Sequence, residues 1–378
     1  MKTLFVIIAS TFMLSAIGVP AFDAGAFLER ISKISPSSPQ SEMKAIAKIA
    51  EENGKAVTEA IVNRLSDKSI KDDDKVAYLW VLGLAKQESS VPMLLDIVKT
   101  SNPTSTLYHA SVRTLTDIGG DEVGAVLLES YRQNKSKMSD EQRFNTMQSL
   151  AMLRYAPAVK EAEEFLKIDP ERYYWQVYFI FGFFDDLAVP MLCEKLNDAD
   201  GTVRTNALGA IRFLMPNSEA LSKALLKRLE SEKSPDIRYQ LVETLEWNML
   251  AIDEEKLNDV FSKLLEREAK DSAAARFMRE TVESKGEMAK MREMFKPNAE
   301  RFNAAYQKII NGGMHFSGNR EAAQDILRCA SSSDIPKLKE LRRRVLYRQS
   351  DECFYDYQAL TRIIQMVRVV GAGEKTQK

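Results

Sequence analysis

The sequence predicts an all-α protein built as an α-solenoid, which is a stack of antiparallel helix pairs, with a helical cap at its C-terminal end. From Glu42 onward, apolar residues recur at helical spacing in short blocks. Polar breakers such as "SNP", "NDADG" and "EKSP" separate these blocks. The chain also repeats one pattern, because "VPMLLDIVK" begins at Val91 and "VPMLCEKLND" begins at Val189. Recurrence of a helical segment is typical of a solenoid.

Each of the two similar segments has a proline at its second position, Pro92 in one and Pro190 in the other. Proline lacks a backbone N–H, which costs nothing in the first turn of a helix because that donor has no intrahelical partner there. We therefore expect a helix to begin at each of these two prolines.

A second apolar helix is expected after each first helix. Its core positions share the spacing i, i+4, i+5 and i+8, which places them on one helical face. Four sets of residues have this spacing: Ala77, Val81, Leu82 and Ala85; Leu107, Ser111, Val112 and Leu115; Val203, Ala207, Leu208 and Ile211; Ile237, Leu241, Val242 and Leu245. A two-helix unit of about 30 to 35 residues cannot cover its own apolar face, so we expect the units to stack.

The stretch "AVPMLCEKLNDADGTVRTNALGAIRFL", residues 188–214, resembles a HEAT repeat. That family has a proline early in the first helix, an aspartate in the turn, Val-Arg at the start of the second helix, and Ala and Leu in its core. The matching residues here are Pro190, Asp198, Val203, Arg204, Ala207 and Leu208. A later unit, "SPDIRYQLVETL", keeps Ile237 and Arg238 but lacks the early proline, and the unit from Val91 has Tyr108 in place of the arginine.

The resemblance implies a right-handed solenoid and a structural role for the matched polar residues. In HEAT proteins, the turn aspartate and the following arginine bond between adjacent repeats. Four residues are assigned this structural role by the resemblance: Pro190, Asp198, Arg204 and Arg238.

The N-terminal letters "MKTLFVIIASTFMLSAIGVPA" have the layout of a secretory signal cleaved after Ala21. The alternative is a retained membrane anchor, because residues 4–22 carry no charge and approach the ~20 residues that a membrane helix needs. Gly18 and Pro20 interrupt the run, which favours cleavage. We expect a protein exported to the bacterial periplasm or secreted, with no integral membrane segment in the mature chain.

The domain organisation predicted from these patterns has four parts. Residues 1–21 are a signal peptide, and residues 22–41, which include the Ser/Pro-rich "SKISPSSPQS", are a linker. Residues 42–270 form the HEAT-like solenoid, and residues 271–378 form a helical region that caps it. A cap is expected because a terminal repeat otherwise exposes an apolar face.

Composition and charge argue against one class of partner. The 378 residues are 45% apolar and 28% charged, which is an ordinary folding composition. The formal net charge is −1, with both signs interspersed, so the chain has no overall attraction for a polyanion. We expect no nucleic-acid partner.

The function predicted from this architecture is a non-catalytic scaffold or adaptor that binds other proteins, since a solenoid presents a long concave surface. HEAT-like proteins usually line that surface with their second helices. The polar positions of the predicted second helices are Arg113, Asn206, Arg212, Gln240, Glu243 and Glu246.

The alternative function is a module that binds a cell-envelope polymer or an anionic surface. Tyr173 and Tyr174 start the aromatic segment "YYWQVYFIFGFF", and Arg342, Arg343 and Arg344 lie in the basic segment "KLKELRRRVLYR", residues 337–348. Each segment also has a structural interpretation, which we favour. The aromatic segment is typical of a helix packed between two neighbours, and the basic residues are typical of a solvated helix face.

The sequence predicts no enzyme, metal site or cofactor. The chain has two histidines and three cysteines, without CxxC spacing or a nucleophile motif. The segment "NGGMHFSGN", residues 311–319, lacks the Lys-Ser/Thr ending of a phosphate loop and is typical of a helix end. Some lyases resemble this repeat architecture, which keeps a HEAT-like lyase as an alternative function. It is the least favoured one, because the sequence has no catalytic motif. The alternatives for Cys329 and Cys353 are one disulfide and two buried thiols, of which we favour the thiols.

Overall fold

The computed structural model describes residues 22–34, 38–67, 69–168, 170–250, 254–283, 295–312, 319–346 and 351–376. Throughout these ranges the secondary structure is helical and contains no strand, which confirms the predicted all-α class. The predicted signal peptide lies outside the described residues. The chain divides into two compact units, residues 1–118 and 119–378.

The helices of the first unit are α1 (Ala24–Ser32), α2 (Gln40–Glu52), α3 (Gly54–Leu65), α4 (Asp72–Ala85), α5 (Val91–Thr100) and α6 (Thr106–Ile118). Helix α6 packs on α5 and α4, and α4 packs on α2 and α3. Pro92 lies in the first turn of α5, as predicted. The predicted core positions of α6, from Leu107 to Leu115, are buried.

Helix α1 corrects the predicted linker over residues 22–41. The Asp23 side chain accepts a 3.0 Å hydrogen bond from the backbone N–H of Ala26, which caps the helix. Phe27 and Ile31, four residues apart, are buried where α1 packs on α3 and α4. The Ser/Pro-rich composition therefore marks only the connection after α1.

The helices of the second unit are α7 (Asp121–Asn134), α8 (Asp140–Met152), α9 (Val159–Ala162), α10 (Pro170–Phe184), α11 (Val189–Lys195), α12 (Gly201–Leu214), α13 (Glu219–Ser231), α14 (Pro235–Leu250), α15 (Glu254–Leu265), α16 (Ala273–Glu283), α17 (Ala299–Asn311), α18 (Arg320–Cys329), α19 (Ile335–Leu346) and α20 (Asp351–Thr376). Pro190 lies in the first turn of α11, as predicted. The helices α8, α10, α12, α14 and α16 pack on one another in succession, while α11, α13 and α15 pack beside α12, α14 and α16.

The aromatic segment of α10 contributes to the core from Val177 onward, as the favoured interpretation predicts, whereas Trp175 is 42% exposed. Phe181, Phe183 and Phe184 are fully buried. The side chains of Tyr173 and Tyr174 lie outside the described residues. Among the residues described, one helical stretch, Trp175–Lys195, is long and apolar enough to cross a membrane, but 67% of its 18-residue apolar window is buried inside the protein. Such burial is typical of a core helix.

The C-terminal region contains two helical hairpins, α17 with α18 and α19 with α20. Helix α19 packs on α10, and α20 packs on α12. Helix α16, which also belongs to the predicted cap, packs on α14 and α15. The helices from residue 271 onward therefore pack on earlier helices of the second unit, α16 on α14 and α15, α19 on α10, and α20 on α12.

Two further interpretations favoured from the sequence concern a helix end at residue 312 and buried cysteine thiols, and the structure agrees with both. Gly312 provides the C-cap of α17, and residues 313–318 of the segment "NGGMHFSGN" lie outside the described residues. Cys193, Cys329 and Cys353 are buried. Cys329 is a free thiol, which excludes the Cys329–Cys353 disulfide.

Candidate binding cleft

A cleft of about 540 Å³ lies in the second unit, between α12, α14 and α20. We call it the α20 cleft, because α20 supplies one complete wall. Its lining residues are Tyr178, Gly209, Arg212, Phe213, Met215, Pro216, Glu243, Thr244, Trp247, Asn248, Gln358, Arg362, Gln365 and Met366.

The wall on α12 depends on a very close approach of α10. A Cβ atom at Gly209 would lie 1.8 Å from the hydroxyl oxygen of Tyr178, so only glycine fits there. Arg212 and Phe213 follow three and four residues later and therefore share one face of α12. On α14, Glu243 and Trp247 are four residues apart and line the same cleft.

Stacked aromatic rings hold α20 against α12. The ring of Tyr357 lies parallel to that of Phe213, with centroids 4.2 Å apart and an interplanar angle of 7°. Tyr178 stacks on Phe213 at 5.9 Å. A Cβ atom at Gly182 of α10 would lie 2.8 Å from Cε1 of Phe213 and 3.1 Å from Cδ1 of Leu346. The missing side chain at residue 182 lets α19 reach α10 beside this stack.

The α20 wall consists of Gln358, Arg362, Gln365 and Met366, at positions i, i+4, i+7 and i+8 of one helical face. Arg362 is exposed, and within the described part of the chain no group bonds to it. Gln365 is buried and donates from Nε2 to the carbonyl oxygen of Met215 at 2.8 Å. Its Oε1 atom has no hydrogen-bond partner among the described residues.

A buried ion pair fixes the α19–α20 hairpin. Arg342 is 3% exposed and donates from Nη2 to Oδ1 of Asp185 at 2.7 Å. Its Nη1 donates to the carbonyl oxygen of Leu214 at 3.1 Å and to Oγ1 of Thr361 at 3.3 Å. The guanidinium also lies 5.0 Å from the ring centroid of Tyr357. One side chain therefore connects the helices α12, α19 and α20 to the turn after α10.

The end of α12 provides a second attachment for α20. Met215 has a left-handed conformation, with φ of 43°, which stops α12 and turns its carbonyl group out of the helix. That carbonyl oxygen accepts hydrogen bonds from Gln365 and from Arg368, the latter at 3.2 Å. Burial and the nearby Arg342 charge lower the pKa of Arg368. Arg368 also donates to the side chain of Asn217.

Two residues predicted to contact a partner meet in the α20 cleft. Arg212 of α12 forms an ion pair with Glu243 of α14, and both line the cleft. Gln240 is half-buried on α14. The carboxylate of Glu246 accepts a 2.8 Å hydrogen bond from Thr281, and burial raises its pKa. In the first unit, Arg113 lies 3.7 Å from Asp117 on the same helix.

Two other residues predicted to contact a partner, Asn206 and Arg342, are buried, so the prediction is wrong for both. Asn206 is 1% exposed and donates from Nδ2 to the carbonyl oxygens of Leu166 and Ile168, both at 2.9 Å. Arg342, described above, is equally inaccessible. Both side chains satisfy buried polar groups inside the protein, so neither presents a surface to a partner.

The basic residues Arg343 and Arg344 lie on a charged face of α19, as the favoured interpretation predicts. Leu338, Leu341 and Val345 are buried, as predicted. Arg343 and Arg344 both pair with Glu340 on the same helix, and the Arg344 Nε to Oε1 distance is 2.9 Å. These arginines are therefore already partly neutralised.

The polar residues matched to the HEAT pattern bond inside the protein, but Asp198 and Arg204 bond within one turn, whereas the resemblance implies bonds between adjacent helix pairs. Arg204 donates to the carbonyl oxygens of Asp198 and Ala199 at 2.9 and 2.8 Å, within its own turn. The Asp198 carboxylate accepts from the backbone N–H of Asp200 at 3.0 Å. Arg238 donates to the carbonyl oxygen of Glu232 at 2.8 Å and pairs with Glu268, 30 residues later.

The α20 wall was not singled out from the sequence. Apolar spacing over Ile363, Ile364 and Val367 predicts a helix there, but that pattern does not show which other helices surround it. No group of residues that could hold a metal ion is found in the described ranges. No family model matches the sequence, and a comparison with curated proteins finds no match.

Proposed function

We propose that this chain is a non-catalytic scaffold or adaptor that binds another protein in the α20 cleft. The observation that carries the proposal is the convergence of Arg212 and Glu243, two polar residues of successive helices, with the exposed Arg362 of α20 in one cleft. Trp247 lies beside them. Aromatic, arginine and methionine side chains are enriched where proteins bind one another.

The packing of the second unit supports a repeat architecture for this scaffold. We propose that the successive contacts among α8, α10, α12, α14 and α16 are those of a HEAT-like solenoid. In such an architecture, α12 and α14 belong to the row of second helices that binds partners. We propose in addition that binding takes place after export, because residues 1–21 have the layout of a cleavable signal.

The anionic-surface alternative receives less support from the described residues. Arg342 is buried against Asp185, and Arg343 and Arg344 share Glu340. A surface that attracts polyanions needs unpaired cations on one face. The basic segment of α19 therefore contributes to docking of the hairpin.

Site-specific photo-crosslinking tests the proposed function. A benzoyl-phenylalanine placed at Gln358 lies in the cleft, where the amide makes no hydrogen bond within the described residues. The matched control places the same group at Glu230, an exposed position on α13. We expect a discrete protein adduct from position 358, identified by mass spectrometry, and no such adduct from position 230. Adducts of equal yield from both positions, or none from position 358, would contradict the proposal.

A further inference from the structure

We propose that the α20 cleft binds an extended peptide segment that carries a carboxylate, with Arg362 as the counter-ion of that carboxylate. This inference rests on the proposed function and names the chemistry of the partner. The carboxylate has two sources in a protein, an Asp or Glu side chain and the chain's C-terminus.

The charges that line the cleft are not balanced. They belong to Arg212, Glu243 and Arg362. Arg212 and Glu243 form an ion pair and neutralise one another. Arg362 is left exposed, with no bond to any other group in the described ranges. A guanidinium matches a carboxylate in geometry and charge and binds it through two parallel N–H···O bonds.

A second observation points to a polar ligand. Gln365 is 1% exposed and lines the cleft, and its Oε1 atom has no hydrogen-bond partner among the described residues. Buried acceptors are rarely left without a donor, because an unsatisfied one costs free energy. A backbone N–H of a bound segment supplies a donor of the kind that Oε1 lacks. Gln358, seven residues earlier on the same face, offers a second amide to the ligand backbone.

The shape of the site fits an extended segment. The α20 wall runs from Gln358 to Met366. Eight residues of helix span about 12 Å, which an extended peptide covers with about four residues. Trp247 and Met366 are half-buried in the cleft and provide apolar surface for the side chain that neighbours the carboxylate.

Fluorescent octapeptide pools, degenerate at the other positions, test the charge requirement by anisotropy. One pair has a fixed Glu or a fixed Gln and an amidated C-terminus. A second pair has no acidic residue and ends in either a free carboxylate or an amide. We expect the protein to bind the Glu pool or the free-carboxylate pool at least about tenfold more tightly than its neutral twin, since a charged hydrogen-bonded pair is worth that factor or more. Equal binding of both twins in each pair would overturn the inference.

Two variants at Arg362 test the counter-ion. Arg362→Gln is expected to lose the preference for the acidic pool, and Arg362→Glu is expected to prefer a pool with a fixed Lys instead. The control is Arg344→Gln, which removes an exposed arginine of α19 outside the cleft. The inference would be overturned if both Arg362 variants still bound the acidic pool more tightly than the neutral pool. It would also be overturned if Arg344→Gln lost this difference to the same extent.

The two proposals fail in different ways. If position 358 crosslinks to a partner while neutral and acidic peptides bind alike, the proposed function stands and the carboxylate inference is wrong. If position 358 gives no adduct and no pool binds, both are wrong.

Discussion

The guanidinium of Arg342 lies 2.7 Å from the carboxylate of Asp185, a residue 157 positions earlier in the chain. Both side chains are buried. Asp185 has a left-handed backbone, with φ of 53°, directly after the last residue of α10. The pair therefore joins the α19–α20 hairpin to a fixed turn, and it holds α20 where it forms one wall of the cleft.

We expect Asp185→Ala to destabilise the protein by about 3 to 5 kcal/mol, because it leaves the Arg342 charge buried without its partner. The measurement is urea denaturation followed by circular dichroism. Lys339→Ala is the control, since Lys339 and Asp186 form a more exposed ion pair on the same two elements, where a loss of about 0 to 1 kcal/mol is expected. Similar small losses for both variants would show that the Asp185 pair does not hold the hairpin.

A substitution at Gly182 tests the close approach of α10, α12 and α19. In Gly182→Ala, the new Cβ atom would lie 2.8 Å from Phe213 and 3.1 Å from Leu346, so we expect a loss of about 1 to 3 kcal/mol from overpacking. Gly201→Ala is the matched control, because its Cβ would meet only the end of the Arg204 side chain at 3.5 Å. If Gly182→Ala has the same melting temperature as the wild type, the contact between α10 and α19 is looser than these distances indicate.

A substitution at Ala207 tests whether neighbouring helices share a buried core at this position. It is 0% exposed on α12, and Ala207→Glu would place a charge there with no partner. We expect a loss of several kcal/mol, on the order of that caused by other unpaired buried charges. Ala220→Glu, at an exposed position of α13, should change the melting temperature little. Equal melting temperatures for the two variants would show that the Ala207 face is not buried.

The Arg238–Glu268 pair predicts a pH dependence. The hydrogen bond from Arg238 lowers the pKa of Glu268 in the folded protein. A carboxyl group whose pKa falls on folding stabilises the protein above its unfolded pKa of about 4.3, and this contribution is lost as pH falls through the lower, folded value. Glu268→Gln should therefore be less stable than wild type at pH 7, and the difference should shrink below about pH 4. A difference that is constant between pH 7 and pH 3 would contradict this origin of the stability.

The sequence predicts the local features of the fold well, because they depend on neighbouring residues. Pro92 and Pro190 start helices through a property of proline itself. The predicted linker is wrong over helix α1, because the Ser/Pro composition begins only at Ser32, while Phe27 and Ile31 before it have helical spacing.

The polar core and the cleft could not be predicted in the same way. Asn206 was placed on a surface because it is polar, yet its amide binds carbonyl groups about 40 residues earlier in the chain. Arg342 finds its partner in Asp185, and Gln365 finds the carbonyl of Met215, 150 residues away. Periodicity identifies the face of a helix, but it does not show which distant segment covers that face.

The most direct test of the central claim is amide hydrogen exchange on the protein with and without the partner captured at position 358. Binding in the α20 cleft predicts slower exchange over residues 243–248 of α14 and 358–366 of α20, with unchanged exchange over α13, which lies outside the cleft. Slower exchange confined to helices other than α12, α14 and α20 would contradict the assignment of the cleft as the binding site.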